Sequence, residues 1–274
     1  MITRQQQTHF DVFGFLVLRQ LFSPEEVDVV TRELEAALFE DRDGKPFDGK
    51  SRQELSDWYL GRPAVEFLID DPRIHEPIEQ LLGPGYECQQ NNDGNLYVGD
   101  TEWHPDMGWD PTIPEGRNDP NRRINGVCQN HYVPSIKVAF YLDPVDKETG
   151  CLRVIPGAHR SPLHDQFWSL HVGIPECVKK VPSIRPKLLE MWERDTGSTE
   201  RGEQFLSDPK MNHFGLEPRD IPSFPIESQP GDAVFFSHQM WHSSFGGHVG
   251  RRMFTLNFRT AQSDEDDEMS REAK

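Results

Sequence analysis

The stretch YLDPVDKETGCLRVIPGAHRSP, residues 141–162, runs from an apolar start into the turn DKETG, through the short apolar run CLRVI, and into a second turn, PGAHRSP. Gly and Pro at such intervals punctuate chains that stay extended only briefly. The texture reaches back to about residue 86, with NNDGN as another turn, and returns as GDAVFFSHQMWH (231–242) and RRMFTLNFRT (251–260). Helical signals come earlier. SPEEVDVVTRELEAALFED (23–41) opens with a Ser cap, Pro at the first helical position and acidic residues in the first turn. Val27, Val30, Leu34 and Leu38 then recur at helical spacing. A second helical region is expected over about 51–82, ending at GPG, while FDVFGFLVLRQLF (10–22) reads as a short apolar β-type run. Residues 161–228 mix Pro with short helical pieces such as RPKLLEMWERD. Helices followed by many short strands predict a mostly β fold with flanking helices, a sandwich or barrel buttressed by the N-terminal helices.

Composition narrows the function. With 35% hydrophobic and 27% charged residues the 274-residue chain is ordinary globular protein rather than disordered. Its net charge of −17 argues against nucleic acid and anionic membrane as partners, since both need positive potential. No apolar run is long enough to span a bilayer and no leader is visible, so a cytoplasmic location is expected. Cys88, Cys128, Cys151 and Cys177 show no C-x-x-C spacing, which excludes zinc-finger chemistry and predicts reduced thiols. The oligomeric state is not legible.

The candidate chemistry starts at TEWHPDMGWD, 101–110. On a strand, His104 and Asp106 project from one face and can converge on one point. Two ligands do not make a tight site. Of 11 histidines, most stand in loops (His131, His159, His164, His171, His213, His238 and His248 among them), where the ordinary reading is an exposed or core-satisfied ring. His242 differs, because it follows the strand GDAVFF and precedes a strand that opens with Arg251 and Arg252. Two histidines and one carboxylate from separate strands form the facial triad of non-haem Fe(II) oxygenases, which leaves coordination positions open. A nearby arginine would grip a carboxylate cosubstrate bidentately.

The pieces FDVFGFLVLRQLFSPEEV, LLGPG, WHPD, YLDPVDKETGCLRVIPGAHRSP, GDAVFFSHQMWHSS and RRMFTLNF occur in this order between about residues 9 and 259. In that order they resemble the phytanoyl-CoA dioxygenase (PhyH) family of Fe(II)/2-oxoglutarate-dependent oxygenases. The resemblance implies a double-stranded β-helix core, jelly-roll and cupin-like, with iron held by His104, Asp106 and His242. It implies one PhyH-like oxygenase domain over 1–262: a helical part at about 20–82, a jelly-roll core at about 86–259, and inserts at 110–134 and 161–228. An acidic tail, 263–274, follows. Fe(II), 2-oxoglutarate and O2 are the implied cofactors, and a small molecule the implied substrate. Halogenating relatives replace the carboxylate with a small residue; Asp106 is present, so hydroxylation or another C–H oxidation is expected. The long connection at 110–134 and the 161–228 segment are the expected places for substrate contacts, as inserts beside a site usually are. The chain has no obvious Lys/Arg cluster for a CoA phosphate, which argues against the family's eponymous substrate.

By analogy with relatives, Gln89, Asn91 and Ser244 are candidates for polar contacts to 2-oxoglutarate; Trp109, which with Trp103 flanks the ligand pair, either packs the barrel mouth or faces substrate, as aromatic side chains that line pockets do. His159 reads as a turn residue bracing the core. Along RRMFTLNF, Arg251 shares a mixed, polar face with Met253, Thr255 and Asn257, whereas Arg252 shares an apolar one with Phe254, Leu256 and Phe258. The family pattern aligns Arg251 with its cosubstrate-binding arginine, with Arg252 as the alternative. Two other readings stay open: a cupin-type metalloenzyme without 2-oxoglutarate, and a catalytically silent binding protein on the same fold.

Overall fold

The computed structural model describes residues 1–89, 92–106, 134–160, 162–171, 173–208 and 211–260. The segment 110–134, the tail 263–274, Asn91 and Trp109 lie wholly or almost wholly outside these residues.

The chain opens with α1 (Arg4–Phe13), where Thr3 and Gln6 form a capping box. Residues 10–13 of the expected β-type run are therefore helical. Gly14, at φ 79°, closes α1 in the left-handed conformation that glycine adopts without cost, and only Phe15–Leu18 form β1. Helix α2 (Pro24–Asp41) has the predicted cap, with Ser23 accepting from the Glu26 amide and Glu26 reaching back to Ser23. The second helical region is corrected: it holds strand β2 (Gln53–Ser56), a 3-10 turn at Pro63–Ile69, and α3 (Pro72–Leu82). Strand β2 exists because β4 (Asp93–Tyr97) pairs with it, a contact that no local pattern announces.

The remaining strands are β3 (Glu87–Cys88), β5 (Thr101–His104), β6 (Ser135–Tyr141), β7 (Leu152–Val154), β8 (Phe224–Ile226), β9 (Ala233–Ser237), β10 (His242–Ser244) and β11 (Arg251–Arg259). Between β7 and β8 run α4 (Ile174–Lys180), α5 (Arg185–Thr196) and α6 (Thr199–Ser207). Among the described residues all named strands pair antiparallel, in two sheets. The larger has the order β1-β9-β6-β11-β4-β2, with β3 also on β11; the smaller is β5-β10-β7-β8. This is the jelly-roll architecture, with two facing sheets rather than a closed barrel.

Alternation along the strands gives each face of the large sheet its task. Val138, Phe140, Phe254, Leu256 and Phe258 pack outward against Leu34, Leu38, Trp58 and Ile78 of the helical layer. Ala139, Tyr141, Val234, Phe236 and Met253 face inward, toward Leu152 and Val154 of the small sheet. Outside the small sheet lie Trp103, Ile155, Trp241 and Phe245, and a further cluster around Trp168 and Trp192 joins α4, α5 and α6.

Gly94 on β4 marks how closely α2 approaches: a Cβ there would stand 2.3 Å from Leu34 Cδ1. Leu34 is fully buried at this contact. Leu34→Ala is therefore expected to destabilise the protein by about 2–5 kcal/mol, read from chemical unfolding, because the sheet behind it cannot collapse into the cavity. A loss under about 1 kcal/mol would show that the layer repacks freely.

Candidate active site

Three donor side chains converge between the sheets. His104 ends β5 and His242 begins β10, and the two are register partners across that antiparallel pair, so their rings lie 4.3 Å apart. Asp106 is placed differently from the same-strand expectation: β5 stops at His104, and Asp106 sits in a bend beyond it. The bend brings its Oδ1 within 3.8 Å of His104 Nε2 and its Oδ2 within 3.8 Å of His242 Nε2. One ligand atom from each of the three residues falls within 4.8 Å of the others, a group able to hold a metal ion.

The histidines are oriented for that task. His104 Nδ1 donates to the Glu102 carbonyl at 2.7 Å and His242 Nδ1 to the Met240 carbonyl at 2.8 Å. A carbonyl only accepts, so each Nδ1 carries the proton and each Nε2 presents a lone pair to the cluster. Burial, reinforced by the neighbouring His242, pushes His104 down to about 4, and burial lowers His242 as well, so both rings are neutral near pH 7. Burial alone would raise the Asp106 pKa, but Lys137 and the two histidines together hold it well below the usual carboxylate range. Two neutral imidazoles and one carboxylate are a donor set that fits Fe(II).

Arg251 lies on the wall of the same cavity. It is 1% exposed, and its guanidinium lies 4.7 Å from the centre of the Tyr97 ring and 5.9 Å from that of Tyr141. One nitrogen donates to the Gly150 carbonyl and, at 2.9 Å, to Ser244 Oγ; Ser244 in turn donates to the Gly150 carbonyl at 2.8 Å. Gly150, in the ETGC turn, has φ +90°, and a Cβ there would lie 1.9 Å from the guanidinium, so only glycine fits beside it. Nε of Arg251 is buried without a hydrogen-bond partner, and no carboxylate among the described residues pairs with the group.

Arg252 is not brought to the cavity. It faces the helical layer, where it pairs with Asp143 and, at 2.5 Å, with Glu35. Gln89 is half-buried and does not line the cavity; its amide is tied to Asn257 and its carbonyl to Asn92. Trp103 turns away from the ligand pair into the outer cluster, its indole donating to the Pro218 carbonyl.

Sequence reasoning passed over Lys137, whose ammonium stands 2.8 Å from Asp106 Oδ2. The signal was present: a lone lysine inside the apolar run of SIKVAFYLD is a residue type that is seldom buried unless paired. Tyr97, Asn95, Tyr141 and Thr255 also line the cavity, and their aromatic or polar types do not distinguish them in a sequence.

Several other histidines are buried neutral. Burial is the main cause that pushes His159, His171 and His238 down to about 4; His238 bonds Asn257 at 3.0 Å, and His159 packs on Gly14. The unfolded chain takes up these protons near pH 6.5 and the folded one only near 4, so acid favours unfolding across that window. The urea midpoint of the metal-free protein is expected to be level above pH 6.5 and to fall between 6.5 and 4; a flat midpoint there would contradict this. Cys88 and Cys151 are free thiols, and no described helix is long and apolar enough to cross a membrane.

The family described as phytanoyl-CoA dioxygenase (PhyH) matches residues 10–253. No curated protein matches. Solved structures share the fold at low identity. HygX from Streptomyces hygroscopicus with nickel and 2-oxoglutarate bound is 17% identical, with a TM-score of 0.60, covering 95% of this chain and 88% of that one. The non-heme alpha-ketoglutarate-dependent carbocyclase SnoK from nogalamycin biosynthesis is 14% identical at TM-score 0.58, covering 98% and 90%. AviO1 from Streptomyces viridochromogenes Tue57 is 14% identical at 0.55, covering 96% and 97%.

Proposed function

The chain belongs to the phytanoyl-CoA dioxygenase (PhyH) family, with Fe(II), 2-oxoglutarate and O2 as its cofactors, and on that premise we propose that it hydroxylates a C–H bond of a polar small molecule, releasing succinate and CO2. His104, Asp106 and His242 hold the metal through the two Nε2 atoms and a carboxylate oxygen. Arg251 receives the distal carboxylate of 2-oxoglutarate, with Ser244 beside it. The observation that carries the reading is the pairing of a three-donor cluster with a buried, uncompensated guanidinium on one cavity wall. A buried cation without a counter-charge is costly, and a dicarboxylate removes that cost.

Bound iron, with its cosubstrates, supplies an oxidant strong enough to take hydrogen from an unactivated C–H bond. The chain's own residues do the rest. The Nδ1 hydrogen bonds hold both imidazoles with lone pairs inward. Tyr97 and Tyr141 wall the guanidinium from water, which strengthens its grip on an anion. Asp106 is the feature that favours hydroxylation, because it would supply the metal with a carboxylate at the position where halogenating relatives have a small residue. A small-molecule substrate is supported by HygX, which has been solved with hygromycin B bound, and its polar character by Arg52, Asp93, Asn95 and Thr255 on the cavity wall.

Succinate formation tests the proposal: purified protein with Fe(II), 2-oxoglutarate and a panel of polar metabolites should release succinate in proportion to one hydroxylated product. Loaded protein that forms no succinate with any member of a broad panel, and none in its absence, would remove the 2-oxoglutarate reading and return the cupin-type alternative.

A further inference from the structure

Lys137 reaches into the cavity from β6, on the face it shares with Ala139 and Tyr141, opposite Phe236 on β9 and Asn257 on β11. Its ammonium is 2.8 Å from Asp106 Oδ2. The two oxygens of Asp106 thus have different neighbours: Oδ1 faces His104, while Oδ2 faces both His242 and the lysine. The other cations of the cavity are engaged elsewhere. Arg52 pairs with Glu54, donates to Asn95 and lies over Tyr97; Arg251 is tied to Gly150 and Ser244.

An ammonium beside a metal ligand repels the metal, so its presence calls for a compensating role. Asp106 lies in a bend, outside the strand ladder, and the terminal torsion of an aspartate is soft. Left alone, its carboxylate is free to turn both oxygens onto a cation held by the histidines, as carboxylates do in many sites. We propose that Lys137 is a positioning residue that holds Oδ2 and so restricts Asp106 to one ligating oxygen. That restriction keeps open the coordination position a chelating 2-oxo acid needs, since two histidines and a singly bound carboxylate leave three positions where a doubly bound one leaves two. The inference rests on the proposed metal and cosubstrate roles of this site and adds a residue to them.

The test uses nickel as an inert stand-in for iron, on the full chain. A crystal structure of the Ni(II)-loaded parent should have one Asp106 oxygen on the metal and Lys137 Nζ within hydrogen-bond reach of the other. Lys137→Met should place both oxygens on nickel. Calorimetry at saturating Ni(II) should then give a 2-oxoglutarate Kd raised by about tenfold or more, with nickel binding itself retained. A parent with both oxygens on nickel, or a Lys137→Met protein with one oxygen bound and 2-oxoglutarate affinity within about threefold of the parent, overturns the role given to Lys137. The parent structure alone decides the matter if Lys137→Met does not fold. A parent that binds no nickel overturns the proposed function as well, so the two failures are distinguishable.

Discussion

Replacing any one of His104, Asp106 or His242 with alanine is expected to abolish succinate formation and to weaken Ni(II) or Fe(II) binding by more than about 100-fold. Loss of an outer-shell partner alone costs about 10- to 100-fold, and these substitutions remove a donor directly. The three residues differ in support. His104 and His242 are braced by cross-strand pairing and by carbonyl bonds at Nδ1. Asp106 has its carboxylate held by Lys137. Asp106→Ala leaves that lysine buried without its counter-charge, so this variant alone should also lose thermal stability in the absence of metal. Retained metal affinity in any of the three would remove that residue from the ligand set.

The second large effect concerns the arginine pair. Arg251→Lys is expected to raise the 2-oxoglutarate requirement by at least about tenfold, because a lysine offers a point charge where a planar fork can meet both carboxylate oxygens. It also gives up the stacking over Tyr97 and the bond to Gly150. Arg252→Lys should leave that requirement unchanged and cost at most about 1 kcal/mol of stability, since its partners Asp143 and Glu35 are partly exposed. Steady-state kinetics in 2-oxoglutarate reads both. A larger effect from Arg252→Lys would mean that the cosubstrate enters from the helical side of β11.

Much of this was legible in residues alone. The Ser-Pro start and the Val27, Val30, Leu34, Leu38 spacing define α2, because caps and periodicity act within a few turns of one helix. Alternation along RRMFTLNF separates Arg251 from Arg252, because neighbouring side chains on a strand leave by opposite faces whatever the strand pairs with. The three donor residues stand out through their types and their places in the order of motifs. Other features lay beyond any local signal. Residues 53–56 are extended only because β4 lies beside them. Asp106 reaches the histidines through a bend, and Lys137 reaches Asp106 across 30 intervening positions, from a strand that pairs with β9 and β11. Gly150 meets Arg251 because the ETGC turn folds back over the end of β11. Periodicity and caps record interactions between residues a few places apart, which the sequence carries in full. Which strand lies beside which, and therefore which buried charge meets which, follows from pairing over long separations and is decided only when the sheets close on each other.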